Sequence, residues 1–225
     1  MLIAIEGIDG SGKGTQARRL QEWLTTQGYS AALISFPRYS KTHFGATIGR
    51  FLDGDFGELD HVDPHLAATL YAADRFESKS VLTESLASHD VLVADRYVPS
   101  NMAHQGARKS GEERHRLQEW ISKVEYDVFQ LPHADLVIHL DLPAETAQEL
   151  IAKKSKRDYT DKAADLQEAD RDYLDSVRLS YLDLAAKEDS WRTISLLDGE
   201  RLRSIEEIGD QIAALVMQAI QASAQ

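Results

Sequence analysis

The chain contains no cysteine. Disulfides, thiolate nucleophiles and cysteine-based zinc sites are therefore excluded. Positive charge is scarce: 25 Lys and Arg stand against 37 Asp and Glu, a formal net charge of −12. A non-specific nucleic-acid binder, which works by neutralising phosphates, is not built this way. A nucleotide enzyme remains compatible, because a phosphate site needs positive charge only locally. No apolar run reaches the length of a membrane span. No basic region precedes an apolar one at the N-terminus, and Glu6 breaks the first apolar run. A secretory signal is thus not expected, and a cytoplasmic location is. Repeats, low-complexity tracts and linker-like segments are also missing, so residues 1–225 are expected to form a single domain.

What is present starts immediately. Leu2 to Gln16 reads LIAIEGIDGSGKGTQ. The apolar run Leu2-Ile3-Ala4-Ile5 has the length of a buried parallel strand. A turn with Gly7, Gly10, Ser11 and Gly12 follows, then Lys13 and a helical pattern. This is the G-x-x-x-x-G-K core of a phosphate-binding loop. Glycines let the backbone curl until several N–H groups face one anion. The following helix adds its positive end. Lys13 can reach the β- and γ-phosphates as a mobile charge. A chance glycine-rich turn would lack the strand before it and the helix after it. The residue after the lysine is usually Ser or Thr, which holds magnesium, but here it is Gly14, with Thr15 one place later. Thr15, Asp9 and Asp95 are the candidate magnesium ligands at this point.

Further along, Ala17, Leu20, Trp23 and Leu24 share a helical face that Gly28 ends. Ala31 to Phe36 reads as a second strand, so strand, helix and strand make a right-handed βαβ unit with a parallel sheet. Arg38 and Tyr39 follow at its carboxyl end, where ligands bind in such sheets. Asp63-Pro64 is a helix start, with Leu66, Leu70 and Ala73 on the expected core face. A further helix is expected over about 80–89. Asp90 to Asp95 is a third strand ending in a carboxylate, as in the second nucleotide motif of phosphate-loop proteins. Residues 99–106 read as polar and turn-like. Glu113 to Phe129 reads as one helix, with Leu117, Trp120, Ile121, Val124 and Val128 facing the core. Leu136 to Leu140 is a fourth strand, followed by a helix to about Lys153. Tyr173, Val177, Tyr181 and Leu184 mark another helix, and Thr193 to Leu197 a fifth strand. Ser204 with Glu207 is a capping box. It opens a helix carrying Ile205, Ile208, Ile212, Leu215 and Ala219 on one face. The fold class expected is α/β: a parallel sheet of about five strands with helices on both faces.

Lys153 to Arg157 is the densest positive run in this acidic chain. An isolated charge run is usually a solvated surface. Beside a phosphate loop it also fits a mobile lid, over about residues 153–168, that closes cations onto a transferring phosphoryl group.

Four stretches together resemble the thymidylate kinase family, whose members transfer the γ-phosphoryl of ATP to dTMP. They are the loop EGIDGSGKGTQ, FPRY at 36–39, LYAADR at 70–75 and DRYVPSNMAHQG at 95–106. The resemblance runs almost end to end and implies a phosphate-loop kinase fold, magnesium, ATP and dTMP as partners, and a homodimer. It places Tyr71 on the thymine ring and Arg75 on a base carbonyl, a sensible pairing of aromatic face and guanidinium edge. Arg38 and Arg96 fall on the acceptor phosphate. Ser100, Asn101 and Gln105 surround base and sugar, and Tyr39 approaches the sugar. His104 stands where many relatives carry an aromatic residue near the sugar 2′ position. Asp9 assists magnesium or the acceptor. With Gly10 in place of a loop arginine, the extra catalytic cation is expected in the lid, at Arg157 or Lys154. Glu168, with Asp165, resembles an acidic lid segment near sugar and metal. Two other readings fit the loop alone. One is another nucleoside monophosphate kinase, since GSGKGTQ is close to adenylate kinase. The other is a non-catalytic nucleotide sensor.

Overall fold

The computed structural model describes residues 1–152 and 171–223. Five strands form one parallel sheet in the order β2-β3-β1-β4-β5: β1 (Leu2–Glu6), β2 (Ala31–Ser35), β3 (Val91–Asp95), β4 (Leu136–Asp141) and β5 (Trp191–Ser195). All five residues of β1 are buried, as the central strand of a sheet covered on both faces must be. Each fully buried aliphatic side chain contributes about 1.5–3 kcal/mol. This makes the strand that launches the phosphate loop a rigid base. Helix α1 (Lys13–Thr26) follows the loop and packs against β1, β2 and β3, and also against the last helix, α9 (Ile205–Ser223). Right-handed crossovers place α4 (Lys79–Ser88), α5 (Val98–Gly106) and α8 (Arg171–Ala185) on the opposite face. Two helices lie outside that layer, α2 (His43–Leu52) and α3 (Pro64–Glu77), packed together over the carboxyl end of β2. Helix α6 (Gly111–Ser122) follows α5, and α7 (Ala144–Ala152) follows β4. A short antiparallel pair, β6 (Leu197–Asp198) and β7 (Arg201–Leu202), precedes α9. The Ser204–Glu207 capping box forms: Ser204 N–H donates to the Glu207 carboxylate at 2.7 Å and Glu207 N–H to Ser204 Oγ at 3.1 Å.

Several local expectations are overturned. Residues 98–106 are not a turn but the helix α5, almost entirely buried. Its Ser, Asn, His and Gln look like loop chemistry, yet they are buried because charged groups elsewhere partner them. The helix expected over 113–129 changes winding: α6 ends at Ser122 and a π-helical turn runs Lys123–Val128, with Phe129 N–H donating to Val124 C=O five residues back at 2.9 Å. Wider winding moves the core face. Val128, expected inside, is 64% exposed, and Trp120, also expected inside, is exposed on α6 before the turn, while Glu125 is fully buried. On α3 the buried face is made of Ala67, Ala68, Ala72 and Ala73, and Leu66 is exposed. Small alanines let α3 approach its neighbours closely, and the larger leucine is turned out.

Candidate active site

The loop between β1 and α1 takes backbone conformations that demand glycine. Gly7 and Gly10 have φ of 144° and 84°. A Cβ at Gly10 would also lie 2.5 Å from the Ala147 carbonyl oxygen. Lys13 folds back so that Nζ donates to Ile8 C=O at 2.7 Å and sits 3.9 Å from Asp9. Burial and the Arg96 charge push its pKa down to about 8, with Asp9 and Asp95 opposing. At the loop's mouth is a cleft of 490 Å³ lined by Asp9, Lys13, Thr15, Arg18, Asp95 and Arg96 among others. Gly14 has a reason in the geometry: a Cβ there would stand 2.9 Å from Asp95 Oδ2. The carboxylate ending β3 occupies the space that a Ser or Thr at position 14 would need. Among the described residues, no three His, Asp or Glu gather as a metal cage. Asp9, Thr15 and Asp95 are side-chain oxygen donors that line the cleft with Lys13.

Arg96 follows β3 with φ of 66°, a conformation that costs a non-glycine residue about 1–3 kcal/mol. Strong contacts hold it there. Nη2 donates to the Asp9 carboxylate, and Nη1 to Ser100 Oγ at 3.3 Å and His104 Nε2 at 3.1 Å. Burial by itself would raise the Asp9 carboxyl, but the Arg96 and Lys13 charges outweigh it and hold it well below the usual carboxylate range. A guanidinium can only donate, so His104 Nε2 is the acceptor and Nδ1 carries the proton. That nitrogen faces Tyr173 Oη of α8 at 3.2 Å, and Tyr173 donates to His104 C=O at 3.2 Å. Burial first, then Arg96, press the His104 pKa down to about 3, so the ring is neutral. Beneath Arg96 lies Glu6, fully buried. It accepts from Tyr97 N–H at 2.7 Å, Ser100 Oγ at 2.6 Å and Tyr181 Oη at 2.9 Å. Burial raises its pKa, with Ser100, the Arg96 charge, Tyr181 and Tyr97 pulling the other way.

Helix α3 organises the second half of the site. Asp74 accepts from Arg38 N–H at 3.0 Å and from the Thr42 hydroxyl, which pins the loop after β2. Ser78 Oγ accepts from Arg38 Nη1 at 3.1 Å. Arg38 and Tyr39 line a separate cleft of 560 Å³ between β2 and α2. Tyr39 and Tyr71 pack against one apolar cluster, Ile48, Phe51, Leu52 and Ala67. Arg75 is buried, and its Nε and Nη2 donate to the two oxygens of Glu125, the latter at 2.6 Å. Burial opposes the Arg75 charge, but Glu125 outweighs it and the guanidinium pKa is raised. On α5, Asn101 Oδ1 and Gln105 Nε2 are buried one turn apart, without a hydrogen-bond partner among the described residues.

The structure therefore gathers Asp9, Lys13, Gly14, Thr15, Asp95 and Arg96 at one cleft, and brings Ser100 and His104 onto Arg96. Lys154, Arg157, Asp165 and Glu168 lie outside the described residues. Sequence reasoning missed Glu6, Asp74 and Glu125 as parts of the site. A carboxylate closing the apolar run of β1 was the available signal for Glu6. For Glu125 it was the spacing, since it stands four residues after the core-facing Ile121 and eight after Leu117.

A family model described as thymidylate kinase matches residues 5–212. The chain is 36% identical over 221 residues to a probable thymidylate kinase of Thermococcus onnurineus, covering 96% of this chain and 97% of the relative. It is 33% identical over 187 residues to the thymidylate kinase of Mycobacterium tuberculosis, covering 83% and 86%. The solved thymidylate kinase of Candida albicans superposes with a TM-score of 0.72 at 24% identity, over 96% of this chain and 91% of that one, a likeness of fold.

Proposed function

The chain belongs to the thymidylate kinase family and transfers the γ-phosphoryl group of ATP to dTMP, giving dTDP and ADP; from that premise we propose how its residues divide the work. The loop amides of Gly7 to Thr15 and the Lys13 ammonium hold the ATP phosphates. Arg38 and Arg96 hold the acceptor phosphate. Tyr71 stacks on the thymine, with Arg75 and Asn101 at its edge. Tyr39, Ser100, His104 and Gln105 surround the sugar. One observation carries this division: Arg96 bonds Asp9 of the ATP loop on one side and Ser100 and His104 of α5 on the other. A cation at that junction is placed to neutralise both phosphates at once.

The acceptor phosphate needs no strong general base, since its second pKa is about 6 and it is already anionic at neutral pH. The protein's task is positioning and charge neutralisation by Lys13, Arg96 and the cations Lys154 and Arg157 of a lid over residues 153–168. Magnesium suits the cleft's donors, because it retains waters and takes phosphate oxygens with few protein ligands. Asp95, whose carboxylate fills the space beside Gly14, and Thr15 would hold it, with Asp9 and Glu168 completing the set. When bound, magnesium neutralises charge on the phosphates.

A single domain acting as a homodimer in the cytoplasm completes the reading. The dimer is supported by Leu66, Phe76, Trp120 and Val128, exposed apolar residues along α3, α6 and the π-turn. Those elements adjoin, with His65 and Trp120 rings 5.0 Å apart and Phe76 and Phe129 rings 4.7 Å apart.

ADP release from ATP and magnesium, with dTMP, dUMP, dCMP, AMP and GMP each offered as acceptor, tests the proposal. Fast turnover with dTMP is expected. Fast turnover with AMP alone, or ADP release indifferent to acceptor, would overturn it.

A further inference from the structure

Glu125 sits in the π-helical turn Lys123–Val128, and none of its surface is exposed. Its two oxygens take three donors. Arg75 gives Nε and Nη2, and Asn101 gives Nδ2 at 2.8 Å. The same Asn101 Nδ2 also donates to Ala68 C=O at 3.0 Å. Both partners of that nitrogen are acceptors, so the amide orientation is determined. Oδ1 then points away as an acceptor, buried and without a partner among the described residues. The Arg75–Glu125 pair leaves the Nη1 arm of the guanidinium outside the ion pair. One carboxylate thus consumes three donors and leaves two groups of fixed sense, a donor from Arg75 and an acceptor from Asn101.

We propose that Glu125 is a positioning residue for base selection, holding Arg75 Nη1 and Asn101 Oδ1 as a donor–acceptor pair complementary to a pyrimidine that offers a carbonyl beside a ring N–H. Thymine and uracil offer that pattern. Cytosine offers an amino group beside an unprotonated ring nitrogen, which is the reverse. Leaving buried polar groups mismatched is a strong route to rejection, stronger than a hydrophobic pocket can supply. Glu125 stands four residues after the buried Ile121, on the face that α6 already turns inward, and the wider winding of the π-turn then carries Val128 outward.

This inference rests on the dTMP reading above, and its test separates the two. Wild-type enzyme is assayed with dTMP and dCMP, which checks the reading itself. Glu125→Gln keeps the size but sets an amide against the Arg75 guanidinium. Its KM for dTMP is expected to rise at least about tenfold, with kcat little changed, and the dTMP-to-dCMP ratio of kcat/KM to fall about tenfold. Glu125→Asp keeps the charge and should fall between the two. A purely structural role would lower unfolding stability and leave KM and the ratio alone. In the wild-type protein, the Arg75 Nε–H, assigned by its loss in Arg75→Lys, should stay protected from hydrogen exchange when thymidine is added. A dTMP-preferring wild type whose folded Glu125 variants keep its KM and ratio would overturn the inference. So would loss of Nε–H protection on thymidine binding.

Discussion

Gly14 and the Asp95 carboxylate share one small volume, so any side chain at position 14 has to move that carboxylate. A Cβ on residue 14 would have only 2.9 Å to Asp95 Oδ2, the outer end of a side chain that can turn aside, so Gly14→Ser should displace that carboxylate and cost no more than about 1 kcal/mol. Urea unfolding should show this loss, and the double variant Gly14→Ser/Asp95→Ala should recover most of it. An additive double variant would refute the steric account. Lys13 is a second residue with a sharp expectation. Its Nζ already leans on Ile8 C=O and Asp9, inside the loop where the triphosphate is proposed to lie. Lys13→Ala should lower turnover by roughly 10³, the order found for single cations in phosphoryl transfer, with the unfolding midpoint little changed. Steady-state ADP release measures the first and urea unfolding the second.

Among the elements, legibility follows burial pattern. The five strands could be read because buried parallel strands are short apolar runs, and the loop could be read because its glycines are forced by backbone conformation. Helix α5 could not, since Ser100, Asn101, His104 and Gln105 carry turn-like chemistry, and the first three are partnered inside by Glu6, Glu125 and Arg96. The π-turn was invisible for a different reason. A change of winding alters which residues face inward without altering the residues. Val128 provides the check. If it lay on a core face, Val128→Thr would be costly, but its exposure on the single chain predicts a change within about ±0.5 kcal/mol in a monomeric Leu66→Glu background. Equilibrium unfolding distinguishes the two. Ile205, expected inside, is also exposed, as the first residue of α9. Of the site, the loop and the arginines were legible by type and position, while Glu6, Asp74 and Glu125 act through partners distant in sequence.

For the whole molecule, buried histidines set a pH dependence of stability. His139 on β4 is fully buried, stacked on Tyr181 at 5.1 Å, and burial presses its pKa down from 6.5 to about 4. Between those values the unfolded chain takes up a proton that the folded chain refuses. Stability is therefore whole above pH 6.5 and declines as pH falls toward 4, by about 3 kcal/mol from this residue. His104, pressed down to about 3, acts in the same direction. Glu6, raised by burial, acts in the opposite one. Urea midpoints measured from pH 8 to pH 4 should fall, and His139→Gln should flatten the slope. At the same scale, Leu66→Glu with Val128→Glu should shift the sedimentation of a homodimer to that of a monomer. Unchanged sedimentation of a dimeric wild type would place its interface elsewhere.

The crowding of Gly14 by the last residue of β3 has a consequence for how such loops can be exchanged. A phosphate loop is commonly treated as a cassette that can be lifted from one protein into another. Here the cassette has a distant matching part. A donor loop with a hydroxyl after its lysine would arrive against the Asp95 carboxylate, and a swap that restores the common motif works only if that aspartate, on a strand far away in sequence, turns aside.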